Sequence, residues 1–420
     1  MELLIINSCL YFFAIFFYYK KKCSLDLGFF LLAAFFLSSV GSCWYYTYYV
    51  ASHSYTNLTL LAFIYLFGLT IVCLLPILRQ DMSNIRYVRT YQVSEFLTIC
   101  SFIFAIASVI PFFQLISKIS FGSVGLSLGK MYESNEDNAS LLFSGVGKIS
   151  FSVIRHFGDV VLVLWGYQLT LQKKNVFLLL GLSISLLTFL LFGFLSGSRG
   201  GILFNIVGIF SVFLILKNVL DKKIVRLITR WGLISIIVIA FLFLLISISR
   251  FDYAVSESDD AENSFLRWIS QYIGEGMMRF NHTIWNLNTY MDGAQNFNYF
   301  LDLFGFISFS NYESLVNYYG MKLQTPVDVF YTFIGDFVID FGILGAPVFC
   351  FILYWLLKKT MHFRKGGIEI WQLIILIQFC HLFFFGFASN VYRGYYIQES
   401  LIYSWVFALI TYLIPRLKRV

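Results

Sequence analysis

The run Val176–Ser196, VFLLLGLSISLLTFLLFGFLS, has no charged side chain over 21 residues. A helix of about 20 apolar residues spans the roughly 30 Å hydrocarbon core of a bilayer. Lys173 and Lys174 precede this run, and a glycine-rich turn with one arginine, Ser196–Gly201, overlaps its end. The stretch therefore predicts a transmembrane helix with a basic end, followed at the opposite end by a turn whose residues suit ligand binding.

The composition extends this prediction to the whole chain. Of its 420 residues, 59% are hydrophobic, 20% are aromatic and only 13% are charged. Soluble domains contain about 25% charged residues, so the composition excludes a soluble globular protein, a disordered chain and a collagen. The seven cysteines lie in or beside apolar runs, and we expect no disulfide, no metal site and no cofactor.

Eleven apolar runs predict an all-α polytopic membrane protein. They lie at 2–19, 27–50, 57–78, 95–117, 149–171, 176–196, 201–216, 231–249, 337–357, 370–388 and 397–414. These runs divide the chain into an N-terminal bundle of about eight spans at 1–249, a large external loop at 250–336 and about three C-terminal spans at 337–420.

Lysine and arginine are concentrated in every second loop. These loops contain twenty of the thirty basic residues and only five acidic ones, whereas the rest of the chain has ten basic and eighteen acidic residues. Cytoplasmic loops are typically enriched in lysine and arginine. We therefore predict that the N-terminus lies outside and the C-terminus in the cytoplasm. The net charge of +7 reflects this topology and does not indicate nucleic-acid binding.

The predicted outer face carries the two longest connections, at about 118–148 and 250–336. Long folded loops on this face favour an enzyme that acts at the outer leaflet over a simple channel or transporter. In the second loop, five apolar residues recur at helical spacing: Phe265, Trp268, Ile269, Tyr272 and Ile273. This stripe predicts an amphipathic helix that lies on the membrane surface or over the transmembrane bundle.

Glu275, Arg279 and His282 continue this helix at positions i, i+4 and i+7, so they share one face. Two interpretations are open: a solvated face with a Glu–Arg pair, or a site where a cation and one or two bases converge. Farther along, Thr325–Asp328 has the hydroxyl, proline and acid that often begin a helix. We therefore predict an interfacial helix at 326–336.

Asp336 and Asp340 are four residues apart at the predicted outer start of the ninth span. Burying a carboxylate near a membrane is costly unless a partner compensates it. Because no cation lies nearby in the same helix, a partner from another helix is expected. Arg199, Arg250 and Arg393, each at the outer end of a predicted span, are the candidates.

Arg199 lies in the turn Ser196-Gly-Ser-Arg-Gly-Gly201. Glycines let a backbone turn tightly and approach a ligand closely, and a guanidinium matches the two-oxygen geometry of a phosphate. The turn lacks the GK[ST] ending of a nucleotide-binding P-loop. The alternative is that Arg199 is a basic anchor near lipid headgroups.

Three features together resemble a known family: the Arg199 turn between two spans, the large late outer loop, and Phe333–Gly345 with the sequence FIGDFVIDFGILG. They look like the oligosaccharide repeat-unit polymerases, the Wzy-type O-antigen polymerases of bacterial surface-polysaccharide assembly. The likeness covers about 190–350 by motif and the whole chain by hydropathy. The related O-antigen ligases share the arginine-bearing turn, and Asp340–Gly342 favours a polymerase.

The resemblance implies a GT-C-like, metal-independent glycosyltransferase of the cytoplasmic (inner) membrane with its active site facing outward. Its donor and acceptor would be undecaprenyl-pyrophosphate-linked oligosaccharides, and the product a surface polysaccharide such as the O-antigen of lipopolysaccharide. Membrane lipid, a chain-length regulator and a flippase would be its partners, with no nucleic acid. The rival interpretations are an O-antigen ligase, which differs in its acceptor, and a lipid-linked oligosaccharide flippase.

The candidate site residues follow from these arguments. Arg199 is assigned to the pyrophosphate by the motif match, whereas position and chemistry alone add Arg250, Arg279 and Arg393. The attacking hydroxyl needs a base, and the open candidates are Glu275, His282 and Asp340.

Overall fold

The computed structural model describes six ranges: residues 1–48, 55–119, 142–196, 198–232, 264–309 and 312–417. Most of the predicted span at 231–249 and all of Arg250 lie outside them. The side chains of Arg199, Phe265 and Trp268 also lie outside the described part of the chain.

The chain is built almost entirely of helices. Those of the first half are α1 Glu2–Lys22, α2 Leu27–Tyr48, α3 Leu60–Arg79, α4 Ser94–Ala107, α5 Val109–Ser117, α6 Val146–His156, α7 Gly158–Thr170, α8 Val176–Leu195 and α9 Arg199–Leu216. Those of the second half are α10 Ser264–His282, α11 Asn298–Leu303, α12 Tyr312–Leu323, α13 Phe333–Thr360, α14 Ile370–Phe385 and α15 Tyr395–Leu417. Two short strands, β1 Tyr87–Arg89 and β2 Gly367–Glu369, pair in parallel.

Seven helical segments among the described residues are long and apolar enough to cross a membrane. They are Glu2–Lys22, Leu27–Thr47, Leu60–Asn84, Ser94–Ser117, Val176–Leu195, Phe333–Thr360 and Tyr395–Leu417. The consecutive helices α6 and α7, bent by 75°, make an eighth if they form one span, while α9 and α14 are apolar but shorter. The chain is therefore an all-α polytopic membrane protein. The total of eleven spans, their orientation and a GT-C-like fold stay predictions.

One compact unit comprises Met1–Met82, Leu266–His362 and Gln378–Leu401. In this unit α1, α2 and α3 pack against one another, and α13 packs along α3. Its core is aromatic: the rings of Phe35 and Phe333, both fully buried, meet edge-on with centroids 6.2 Å apart. Glu275, Arg279 and His282 of the large outer loop lie in this unit, as do Asp336 and Asp340 of α13.

The other compact unit comprises Ser83–Phe265, Phe363–Ile377 and Ile402–Val420. Among its described residues, the uncharged helix α8 packs against α4, α5, α7 and α9. The strand pair β1–β2 belongs to the same unit. Arg199 lies here, at the first residue of α9.

A break at Gly342, where φ is 73° and ψ is 176°, divides α13. Only glycine adopts this backbone region without strain, and a Cβ at Gly342 would lie 2.7 Å from Cζ of Tyr290. The break separates a helix at 333–341, whose first eight residues are all buried, from a segment at 343–360. At 1.5 Å per residue the second segment alone is about 27 Å long, close to the thickness of a bilayer core.

The predicted helix at 326–336 is wrong, because α13 begins only at Phe333. Thr332 is its N-cap, and the Thr332 hydroxyl accepts a hydrogen bond from the Gly335 amide at 3.1 Å. In the preceding irregular segment, 326–332, carbonyl oxygens accept hydrogen bonds from three side chains: Gln295, Tyr331 and Arg393. These side-chain donors replace the hydrogen bonds that a helix would make, and local sequence does not reveal the two distant ones, Gln295 and Arg393.

Candidate functional site

A close crossing with α2 holds α10, which carries three of the candidate residues. Gly41 and Gly274 meet at the crossing, where a Cβ at Gly274 would lie 2.3 Å from the Gly41 carbonyl carbon. The hydroxyls of Ser38 and Ser42 donate to the carbonyl oxygens of Ile273 and Gly274, each at 2.6 Å. Such small residues and serine hydroxyls are typical of helix pairs in membranes. The contacts fix α10 against α2.

The buried face of α10 differs from its predicted apolar stripe. Tyr272, a member of the stripe, is exposed, whereas Ser270, Gly274 and Met277 are buried. Asn281 is also buried, and its side chain bonds both the amide and the carbonyl of Thr59, each at 2.7 Å. The predicted helix is confirmed, but its buried face includes small and polar residues that the predicted stripe lacks.

Glu275 and Arg279 form an ion pair to which Tyr55, from the segment before α3, is added. Oε1 of Glu275 lies 2.9 Å from Nη2 of Arg279 and accepts a hydrogen bond from the Tyr55 hydroxyl at 2.8 Å. Arg279 Nε donates to the same hydroxyl oxygen at 3.0 Å, and Gln271 donates to Glu275 Oε2 at 3.0 Å. Glu275 is only 5% exposed. The predicted Glu–Arg pair is confirmed, but its carboxylate is buried and not solvated.

In this cluster, the neighbouring groups keep the Tyr55 phenol and the Arg279 guanidinium protonated. Burial and the Glu275 charge raise the pKa of Tyr55, so its hydroxyl stays protonated and keeps donating to the carboxylate. Burial acts to lower the pKa of Arg279, but the Glu275 charge and the Tyr55 phenol outweigh it, and the net pKa is raised. Nη1 of Arg279 has no partner among the described residues. The oriented guanidinium therefore keeps donors that no described residue uses.

His282 ends α10 beside this cluster. Its ring packs edge-on against that of Tyr55, with centroids 5.4 Å apart. Its Nδ1 is buried and has no hydrogen-bond partner among the described residues. An unpaired buried ring nitrogen is uncommon. The structure therefore brings Glu275, Arg279 and His282 together around Tyr55.

Asp336 is fully buried and pairs with Arg393, which confirms that a cation from another part of the chain compensates this acid. Arg393 Nη1 lies 3.2 Å from Asp336 Oδ1, and the Asn390 amide donates to Oδ2 at 2.5 Å. The same guanidinium donates to the carbonyl oxygens of Val329 at 3.0 Å and Asp328 at 3.4 Å. Arg393 thus holds the 326–332 segment against α13.

Asp340 accepts three hydrogen bonds from uncharged donors. The amides of Gln295 and Asn296 donate at 2.9 and 2.8 Å, and Nδ2 of Asn296 donates at 2.6 Å. Asn390 Nδ2 donates to Asn296 Oδ1 at 2.7 Å, which links this carboxylate to the Asp336 network. Three of the roughly four acceptor sites of this carboxylate are therefore occupied.

Tyr331 lies within reach of both arginine clusters. Burial raises the pKa of its phenol, while hydrogen bonding to Thr325 and the charges of Arg279 and Arg393 lower it. Both guanidiniums therefore act electrostatically on one buried side chain. The Glu275–Arg279 and Asp336–Arg393 pairs both lie in the first unit.

The arginine-bearing turn is described only in part. Ser198 caps α9, and its hydroxyl accepts a hydrogen bond from the Gly201 amide at 3.3 Å. One serine of the turn therefore has a local structural role. The side chain of Arg199, together with Gly197 and Arg250, lies outside the described residues, so the pyrophosphate roles of Arg199 and Arg250 stay predictions.

Four uncharged residues that build the site have no strong signal in the sequence: Tyr55, Gln295, Asn296 and Asn390. The pair Gln295–Asn296 is a polar interruption in an aromatic stretch, which is the only local hint. The bonds from Tyr55 to Glu275 and from Asn390 to Asn296 join residues 220 and 94 positions apart. One sequence without its fold does not reveal such pairs.

Comparison with known proteins finds no match: no family model matches the chain, and no curated protein and no solved structure is significantly similar to it. Among the described residues, no three His, Cys, Asp or Glu side chains are grouped to hold a metal ion. Fold and site define a polytopic membrane protein with a buried, charged and hydrogen-bonded region around α10 and α13. The family resemblance stays a prediction from the motifs.

Proposed function

We propose that the protein polymerises undecaprenyl-pyrophosphate-linked oligosaccharide repeat units at the outer leaflet of the bacterial cytoplasmic membrane, and releases undecaprenyl pyrophosphate. The observation that carries the proposal is Arg279. Its guanidinium is oriented by Glu275 and Tyr55 and has Nη1 without a partner among the described residues. It lies on a helix of the loop that the charge pattern predicts outside, and the motif resemblance supplies the substrate class.

The proposed reaction places negative charge where Arg279 can meet it. The anomeric carbon–oxygen bond to the lipid diphosphate breaks, a bond to the acceptor hydroxyl forms, and the hydroxyl proton moves to a base. An oriented guanidinium stabilises the departing diphosphate without titrating and without reorganising. Glu275 and Tyr55 would position Arg279 through the contacts at 2.9 and 3.0 Å.

His282 is the base that the contacts favour among the three candidates. Both carboxylate oxygens of Glu275 and of Asp340 already accept hydrogen bonds. The Nδ1 of His282 is without a partner among the described residues, and histidine is the side chain that most often transfers a proton to or from a reacting group.

Arg279→Lys is expected to reduce polymer formation about 100-fold or more, because loss of one oriented charge-stabilising donor costs about 10²–10³ in kcat. Lysine keeps the charge and a partner for Glu275 but lacks the guanidinium fork. The measurement is the product ladder formed by the purified full-length protein in liposomes with lipid-linked repeat units, with and without chelator. Arg199→Ala, tested alongside, is also expected to abolish polymer while leaving insertion intact.

The matched control is Lys322→Ala, which removes a cation of the same loop whose partner is the exposed Asp292 at 3.3 Å. It is expected to leave the ladder unchanged.

Because Arg279→Ala alone would leave buried Glu275 without its cation, Glu275→Gln/Arg279→Ala tests the same role in a folded background. A full ladder from both Arg279 variants contradicts the proposal. Transfer of finished polymer to a lipid A core indicates a ligase, and lipid translocation without a new glycosidic bond indicates a flippase.

A further inference from the structure

Three large apolar side chains project from the last residue of α11 and the turn that follows it. Leu303, Phe304 and Phe306 are 62%, 70% and 75% exposed. The surrounding stretch, 296–309, has four further aromatic residues and a single charge, Asp302. Isolated exposed apolar residues are ordinary on a protein surface, but a group of this kind marks an interaction site.

Backbone hydrogen bonds hold this turn in one conformation. The Phe304 amide donates to the Phe300 carbonyl at 3.0 Å, and the Phe306 amide donates to the Leu301 carbonyl at 2.8 Å. Gly305, with φ of 71°, occupies the left-handed position between them, which is the pattern of a helix C-cap. Phe306 stays exposed even though such a cap often folds this side chain back onto its helix.

Direct contacts place α11 beside two of the membrane-spanning helices. Phe297, at its start, packs against Phe341 and Phe349 of α13, with ring centroids 6.1 and 5.9 Å apart. At its end, Asp302 accepts a hydrogen bond at 2.8 Å from the hydroxyl of Tyr395, the first residue of α15. The turn that directly follows α11 therefore lies at the level of the membrane where the spans of α13 and α15 begin.

We propose that the turn 303–306 inserts its three apolar side chains into the interfacial region of the lipid leaflet at this end of the spans. Its partner is the bilayer itself, which also covers Leu344 and Val348, the exposed α13 residues near Phe349. Aromatic and leucine side chains favour this zone. The one charged residue of the stretch, Asp302, accepts a hydrogen bond from the Tyr395 hydroxyl. The turn fixes the large loop at the membrane surface, independently of the reaction the protein catalyses.

A photoreactive phenylalanine analogue tests this contact in the full-length protein. Benzoylphenylalanine placed at Phe304 or at Phe306 is close to the native side chain in shape and should not disturb the fold. After irradiation in native membranes, mass spectrometry is expected to find phospholipid adducts at both positions. The control position is Asp292 in the same loop, whose side chain is 81% exposed and paired with Lys322.

We expect a several-fold excess of lipid adduct at Phe304 and Phe306 over Asp292. Adducts to a second copy of the chain or to another protein would show that a protein covers the turn and would overturn the proposal. Lipid adduct no higher than at Asp292 would show that the turn faces water, with the same consequence. Neither outcome bears on polymer formation, so the two proposals are tested separately.

Discussion

Arg393→Met is expected to destabilise the protein strongly, because it leaves the fully buried Asp336 without its cation. Removing one partner of a buried ion pair costs about 3–5 kcal/mol, since the other charge stays buried and uncompensated. The substitution also removes the donors to the carbonyl oxygens of Asp328 and Val329 at 3.4 and 3.0 Å. The expected result is a large drop in the midpoint of thermal unfolding, measured for the purified protein in detergent micelles.

The matched control is Arg89→Met, which breaks the pair of Arg89 with Glu369 in the second unit. There the atoms are 3.7 Å apart and both side chains are partly exposed, and such pairs contribute about 0–1 kcal/mol. An unfolding midpoint for Arg393→Met no lower than that for Arg89→Met would show that the buried Asp336–Arg393 pair contributes little to stability.

The double variant Asp336→Asn/Arg393→Met separates the structural role of Arg393 from a role in binding diphosphate. Removing both charges is expected to recover part of the lost stability, because no unpaired ion is left inside. If Arg393 only holds the 326–332 segment, this variant should also recover part of the proposed polymerase activity. A stable double variant that stays inactive would instead indicate that the guanidinium contacts substrate.

The helices were largely predictable because their signal is local. An uncharged run such as Val176–Ser196 has one stable state in lipid, a helix that satisfies its own backbone, and α8 ends at Leu195 as the run suggests. The break at Gly342 and the irregular segment 326–332 were not predictable, because both involve contacts with residues elsewhere in the chain. The ring of Tyr290 lies beside Gly342, and Arg393 donates to a carbonyl oxygen of the segment.

The site follows the same division between local and distant contacts. The spacing of Glu275, Arg279 and His282 predicted a shared face, and the Glu275–Arg279 contact at 2.9 Å agrees with it. The burial of this face was not predictable, because it depends on the crossing of α10 with α2 and on Tyr55. Likewise, two acids in α13 predicted a distant cation, but three arginines were equally placed and only the fold selects Arg393 for Asp336.

Gly274→Ala is expected to cost more than about 3 kcal/mol, the upper end of the usual range for overpacking. The new methyl group would lie 2.3 Å from the carbonyl carbon of Gly41 and from the amide nitrogen of Ser42. Backbone atoms cannot rotate away as a side chain can, so α10 and α2 must separate. Separation also lengthens the two 2.6 Å hydrogen bonds that Ser38 and Ser42 donate to α10.

Gly68→Ala in α3 is the matched control, because a Cβ there meets nothing within 4 Å. Alanine is favoured over glycine in a helix by about 1 kcal/mol, so this change should leave the unfolding midpoint unchanged or raise it. The two glycine-to-alanine substitutions thus have opposite expected signs. Equal midpoints would mean that α10 does not pack closely against α2. In that case the crossing with α2 would not be what holds Glu275, the next residue, in the buried position from which it orients Arg279.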